Sequence, residues 1–188
     1  MRIVAGQWRG RALIVPPGQT TRPTADRVRQ ALFDMLLHAP WGGRGLLDGA
    51  TVLDGFAGTG ALGLEALSRG AKEAVLIERD PAALRALRAN VTALGAGERA
   101  RILAADMLAP PLASAACSLV FLDPPYRQDY VPKALSALRV KGWIAPDALI
   151  IAECAWDEVQ PAEATGALLA EREHGAARIM IWRSVDSV

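Results

Sequence analysis

The sequence predicts an α/β fold: a mostly parallel sheet with one antiparallel strand, flanked by helices, behind a small N-terminal hairpin and helix. Three observations predict it. From Thr51 onward, short apolar runs alternate with segments of helical period, the pattern of right-handed crossovers between parallel strands. Val52–Gly63 reads as an apolar run, an acid, a glycine-rich turn and a helix start. The last two apolar runs, Leu168–Glu173 and Arg178–Arg183, are joined by a turn at His174-Gly175 and therefore need an antiparallel pairing.

Taken in order, Arg2–Ala5 and Arg11–Val15 are strand-like runs on either side of Gly6–Gly10, a hairpin with Trp8 near its tip. Pro16-Pro17-Gly18 stops it. A helix follows, with Thr24 as N-cap and Val28, Ala31, Leu32, Met35 and Leu36 as its apolar stripe. Strand one is Thr51–Asp54, with a helix over Ala61–Arg69. Strand two is Ala74–Glu78. Its helix has Asp80 as N-cap, Pro81 at the first position, and Leu84, Leu87, Val91 and Leu94 on the buried face. Arg101–Ala104, Ser118–Leu122 and Ala148–Glu153 are further strands, and Tyr130–Leu138 a helix. Residues 1–22 read as a basic arm and residues 23–188 as the main domain, compact together.

Composition narrows the class. A chain of 188 residues can bury one good core but not two comfortable ones. No apolar run is long enough to span a membrane, and Met1–Arg9 has no signal-peptide core. Cys117 and Cys154 have no Cys-x-x-Cys partner, and His38 and His174 stand alone. Free thiols, no protein-held metal, and a soluble, cytoplasmic protein are expected. Residues 1–30 hold six arginines and the single acid Asp26, a local charge of +5 against +1 for the whole chain. The bland interpretation is a solvated basic terminus. The sharper one makes Arg2, Arg9, Arg11, Arg22, Arg27 and Arg29 a phosphate-binding surface.

Gly58-Thr59-Gly60-Ala61-Leu62-Gly63 is a literal G-x-G-x-x-G, which suggests a dinucleotide whose pyrophosphate meets a helix N-terminus. Asp54, just before that loop, argues against it, because a carboxylate there repels a pyrophosphate. S-adenosylmethionine has no phosphate. Its ammonium suits Asp54, its carboxylate suits the loop, and its ribose diol suits Glu78, 18 positions after Gly60. Asp106 can accept from the adenine amine, with Met107 against the ring. Asp54, Glu78, Asp106 and Asp123 each lie at or just past the end of a predicted strand, on the edge where such sheets bind ligands.

Asp123-Pro124-Pro125-Tyr126 then points to the acceptor. Two prolines remove two N–H donors, so the turn presents carbonyl oxygens beside a carboxylate, a nest for an –NH2 group. Tyr126 offers a flat face for a base. Acceptors that hold the two amine hydrogens would turn the nitrogen lone pair toward a methyl donor.

These residues resemble the amino-methyltransferases that act on nucleic-acid bases. Met1–Arg11, Arg22–Arg29, Phe56–Ala71 and Phe121–Tyr126 together are similar to the RsmD-type 16S rRNA guanine-N2 methyltransferases, over nearly the whole chain as far as Glu153. The resemblance implies a Rossmann-like, seven-stranded methyltransferase sheet using S-adenosylmethionine. It implies methylation of N2 of one guanine, conventionally position 966, of 16S rRNA in a 30S subunit or its assembly intermediate, by a monomer. Carried onto this sequence, Asp123, Pro124, Pro125 and Tyr126 are catalytic. Asp54, Phe56, Ala57, Gly58, Thr59, Gly60, Glu78, Arg79, Asp106, Met107 and Asp123 bind the cofactor. Arg2, Trp8, Arg9, Arg11, Arg22, Arg27 and Arg29 bind RNA, with Trp8 stacking on a base. Gly55 departs from the larger residue of relatives, and Trp156–Gly166 matches least. The alternatives are a DNA adenine-N6 methyltransferase, which shares the Asp-Pro-Pro-Tyr chemistry, an NAD-dependent oxidoreductase, and a non-catalytic RNA-binding module.

Overall fold

The structure, a computed structural model, describes residues 1–16, 23–158, 166–175 and 177–185. After helix α1 (Pro23–His38) and a short 3-10 turn (Arg44–Leu46), the chain runs β1 (Thr51–Gly55), α2 (Ala61–Ser68), β2 (Glu73–Glu78), α3 (Pro81–Ala93) and β3 (Ala100–Ala104). It continues through β4 (Cys117–Leu122), α4 (Tyr130–Val140), β5 (Ile144–Ala155), β6 (Ala167–His174) and β7 (Ala177–Arg183). The seven strands form one sheet in the order β3-β2-β1-β4-β5-β7-β6. β1 to β5 are parallel neighbours, and β7 runs antiparallel to both β5 and β6. The order reverses at β1 and β4, so a crevice opens beyond their carboxyl ends.

Alternation along the strands divides the core in two. Val52, Leu76, Leu119, Phe121, Leu149 and Ile151 face α1, α2 and α3, while Leu53, Val75, Ile77, Val120, Leu122 and Ile150 face α4. Asp80 caps α3 by accepting from the Ala83 N–H at 2.8 Å, ahead of Pro81, as the sequence indicates.

Four local expectations change. The N-terminal hairpin forms but is shorter than expected: around the Arg2–Ala12 bridge the Ile3 N–H donates to the Arg11 carbonyl at 2.9 Å and the Leu13 N–H to the Met1 carbonyl at 3.0 Å, and beyond Ile3 the Val4 and Ala5 N–H groups go to the Glu65 carboxylate, at 2.8 and 2.9 Å. α1 starts at Pro23, so Thr24 lies in its first turn rather than at its cap; proline has no N–H to lose there. Phe33, not on the expected stripe, is fully buried, whereas Ala31 is exposed. β5 begins four residues early, with Asp147 at φ 55° and a register shift between Cys117 and Leu119.

The first sixteen residues are docked, not free. Gly6 sits so close to α2 that a Cβ there would lie 1.8 Å from the Ser68 carbonyl oxygen. Its φ of 79° independently favours glycine. The Asn90 side chain on α3 accepts from the Ile14 N–H at 2.7 Å and donates to the Ile14 carbonyl at 2.9 Å.

Candidate active site

The glycine loop shapes the crevice from below. Gly60, at φ 80°, leads into α2; a Cβ on it would meet Leu87 Cδ1 at 2.4 Å, and one on Gly63 would meet Leu76 Cδ2 at 2.3 Å. These two glycines let α2 seat against α3 and the sheet. Gly58 behaves differently: its N–H donates to Glu78 Oε2 at 2.8 Å. Glu78 Oε1 accepts from the Arg79 and Asp80 N–H groups, each at 2.7 Å. Phe56 is held at φ 60°, with its ring stacked on Tyr130 at 5.7 Å and 8°.

A cavity of about 790 Å3 opens on this edge. Phe56, Gly58, Glu78, Arg79, Met107 and Asp123 of the expected cofactor set line it, with Pro124, Pro125 and Tyr126 as its wall. The other five do not. Asp54 is 2% exposed, lies on the same sheet face as Val52, and accepts from the Gly63 N–H at 2.8 Å. It braces the loop from beneath. Burial pushes its pKa up to about 8; the Gly63 N–H pulls it down, and the charges of Asp123 and Glu78 add to the rise. Ala57, Thr59 and Gly60 are buried, with the Gly60 N–H donating to the Ala57 carbonyl at 2.7 Å and Asn90 of α3 donating to the Thr59 carbonyl at 3.0 Å. Asp106 already holds Arg79 Nη1 at 2.8 Å and the Leu108 N–H at 2.9 Å.

Asp123 and Tyr126 also line a second cavity, of about 510 Å3, on the other side of the same turn. Its remaining walls include Val28 and Arg29 from α1, Ile151 and Glu153 from β5, and Ile179 from β7. Glu153 was not anticipated. Parallel register sets Phe121 opposite Ile151 and Leu122 opposite Ala152, so Asp123 and Glu153 are the next pair along, on one face of the sheet. That alternation was the available signal. The Tyr126 hydroxyl donates to Glu153 Oε1. Among the described residues, no hydrogen bond reaches the Asp123 carboxylate or Glu153 Oε2. Asp123 is open to both cavities but crowded elsewhere. That crowding, with the charge of Glu153, pushes its pKa from 3.8 to about 7. Burial, with the Glu153 bond and charge, holds the Tyr126 phenol above its ordinary range.

The basic arm divides into free and spent cations. Arg2, Arg9 and Arg27 are exposed and line a groove of about 570 Å3 between the arm and α1, with Arg2 Nε also 3.8 Å from the Asp26 carboxylate. Arg11 is exposed, with a guanidinium nitrogen donating to the Ala93 carbonyl at 2.9 Å. Arg22 lies outside the described residues. Arg29 is 5% exposed, paired with Asp26 at 2.9 Å and Glu65 at 3.5 Å, and donates to the Arg2 carbonyl, so it is not a phosphate contact. Trp8 is half-buried against the core, with the Arg99 guanidinium 5.2 Å from its ring, which takes away the face expected to meet a base. Glu65, fully buried on α2, organises this corner: besides the Val4 and Ala5 N–H groups it holds Arg69 Nε at 2.7 Å. An acid amid the apolar residues of α2 was its only signal. Among the described residues no His, Cys, Asp and Glu cluster could hold a metal ion, and no helix is long and apolar enough to cross a membrane.

The family model described as "Conserved hypothetical protein 95" matches residues 1–183. Ribosomal RNA small subunit methyltransferase D of Escherichia coli is 43% identical over 81% of this chain and 74% of its own. The solved structure of the E. coli protein yhhF superposes with a TM-score of 0.83 at 39% identity, over 98% of each chain. The 16S rRNA N2 G1207 methyltransferase RsmC of T. thermophilus, in complex with AdoMet and guanosine, gives a TM-score of 0.70 at 20% identity. It is matched over 89% of this chain and 44% of that one, a likeness of fold.

Proposed function

This chain belongs to the RsmD family of methyltransferases, and on that basis we propose that it transfers the methyl group of S-adenosylmethionine to N2 of a guanine of 16S rRNA, the position-966 type, in the small ribosomal subunit or an assembly intermediate. One observation carries this reading. Asp123 and Tyr126, at the two ends of the Asp-Pro-Pro-Tyr turn, line both cavities, so a donor in one and a base in the other would meet at the same carboxylate.

The chemistry of the larger cavity fits the cofactor. Phe56 and Met107 give apolar walls for an adenine ring, and Glu78 Oε2 keeps a lone pair for a ribose hydroxyl. A dinucleotide fits worse. The Gly58 N–H that a pyrophosphate would need is already held by a carboxylate, and Asp123 adds a second anion to the wall. When bound, S-adenosylmethionine supplies an electrophilic methyl carbon on a sulfonium and departs as a neutral thioether.

A guanine extruded from its stack into the smaller cavity brings its N2 amine to the boundary of the two cavities, where Asp123 accepts one N2 hydrogen and the Pro124 carbonyl, on the side of the larger cavity, the other. Tyr126 gives the base a face to stack on. With its hydrogens so held, the N2 lone pair points at the methyl carbon; the N–C bond forms as the C–S bond breaks, its electron pair staying on sulfur. Asp123, or solvent beside it, takes the proton that N2 releases. Arg2, Arg9 and Arg27 bind rRNA phosphates outside the cleft.

The test is methyl transfer to free 16S rRNA, 30S particles and DNA in parallel, followed by nucleoside analysis. N2-methylguanosine from the ribosomal substrates is expected. N6-methyladenosine in DNA, or no transfer at all, would overturn the proposal.

A further inference from the structure

Glu153 has no part in methyl transfer as described above, yet its carboxylate faces the smaller cavity beside Asp123. One of its oxygens holds the Tyr126 hydroxyl, and among the described residues nothing donates to the other. A second carboxylate next to the first is costly unless a donor arrives to meet it. The two acids are neighbours on adjacent strands, on one sheet face, so they offer two adjacent acceptor groups to whatever enters.

Guanine presents such an edge. Its N1–H and N2 amine are adjacent donors. Adenine places a bare N1 lone pair beside its amine, and a carboxylate there would face an acceptor. Resting on the guanine-N2 function proposed above, we infer that Glu153 is the specificity residue: Oε2 accepts the guanine N1–H while Asp123 holds N2, so bases with an unprotonated N1 are rejected. The Tyr126 hydroxyl occupies the other Glu153 oxygen, so Oε2 is the one left for the base.

The inference separates from a merely structural role by changing the base. Small subunits are reconstituted with 16S rRNA carrying guanine or 2,6-diaminopurine at the target position. Diaminopurine keeps the N2 amine but has a bare N1. Wild type is expected to prefer guanine in kcat/KM by roughly 10- to 100-fold, the discrimination typical of a well-made base contact. Glu153→Gln, whose amide can donate to the bare N1, is expected to lose most of that preference. Tyr126→Phe, whatever its rate, keeps the carboxylate and is expected to keep the preference.

Equal losses on both bases in Glu153→Gln would make Glu153 a brace for Tyr126 and overturn the inference. So would a wild type that methylates both bases alike, which leaves the guanine-N2 function standing. A wild type that methylates neither overturns the function, and the inference with it.

Discussion

Asp54 and Asp123 lie at the carboxyl ends of adjacent strands, two sequence motifs that look alike as acid-then-turn, and they do opposite work. Asp54 is sealed under α2 and spends its carboxylate on the Gly63 N–H. Asp123 stands where two cavities meet, and among the described residues nothing donates to it. The two glutamates repeat the contrast. Glu65 is consumed by Val4, Ala5, Arg29 and Arg69, while Glu153 faces a cavity with one oxygen unclaimed. Whether an acid serves the fold or the chemistry depends on which donors reach it first.

If that division is right, the two sets fail in different assays. The largest effect falls on the fold. Glu65→Ala would leave Arg29 and Arg69 short of a buried partner and the Val4 and Ala5 N–H groups unpaired. A loss of about 3–5 kcal/mol in urea denaturation is expected, with early proteolysis of the arm. A loss under about 1 kcal/mol would put Glu65 with the exposed pairs. It follows that deleting the arm is a stability experiment before it is an RNA-binding one.

Next comes Asp123→Asn. Turnover is expected to drop roughly 100- to 1000-fold, the scale for one lost transition-state contact. Cofactor affinity should stay near wild type, and the denaturation midpoint near wild type at low pH and at or above it near pH 7 and higher, where the wild-type carboxylate is ionised. A comparable fall in stability would move Asp123 to the Asp54 side of the contrast.

A smaller effect concerns pH. Asp123 must be ionised to accept the N2 hydrogens, and its pKa is raised to about 7. kcat/KM is therefore expected to rise with pH through about 7, to lose that limb in Asp123→Asn, and to shift it to lower pH in Glu153→Gln, which removes a neighbouring negative charge. Stability runs the other way. A carboxyl whose folded pKa lies above its unfolded value of 3.8 contributes fully below that value, and the contribution is lost as pH rises through about 7. Activity and stability that rise together across this window would exclude Asp123 as the titrating group.

The contrast also explains what could be read in advance. The seven strands, their direction and the Asp80-Pro81 helix start were legible, because strand alternation and caps are local signals. So was the turn Asp123–Tyr126, whose prolines act on their own backbone. Asp54's hold on the Gly63 N–H was not legible because its chemistry suits an ammonium equally well; only its parity with Val52, and the bare backbone of Gly63 above it, decide that it points inward. Glu153 was missed because its meaning comes from register with Asp123 across 30 residues of sequence. Arg29 and Trp8 look like RNA contacts in a basic arm, and only the fold supplies Glu65 and Arg99 to occupy them.

The smallest expected effect tests that last distinction at its closest range, between two arginines on one turn of α1. Arg27 is exposed beside the groove, whereas Arg29 is buried in the Glu65 cluster. Both carry one charge, so net charge alone would treat them alike. Counterion release does not, because only a guanidinium that can reach a phosphate displaces a condensed ion. Arg27→Ala is expected to lower the slope of log affinity against log salt for 16S rRNA by about 1, with stability changed by less than about 0.5 kcal/mol. Measured in the same titration, Arg29→Lys should keep the wild-type slope while losing stability, since an ammonium cannot span Asp26 and Glu65 as the planar fork does. Equal slopes for Arg27→Ala and wild type would remove α1 from the RNA surface and leave Arg2 and Arg9 to carry it.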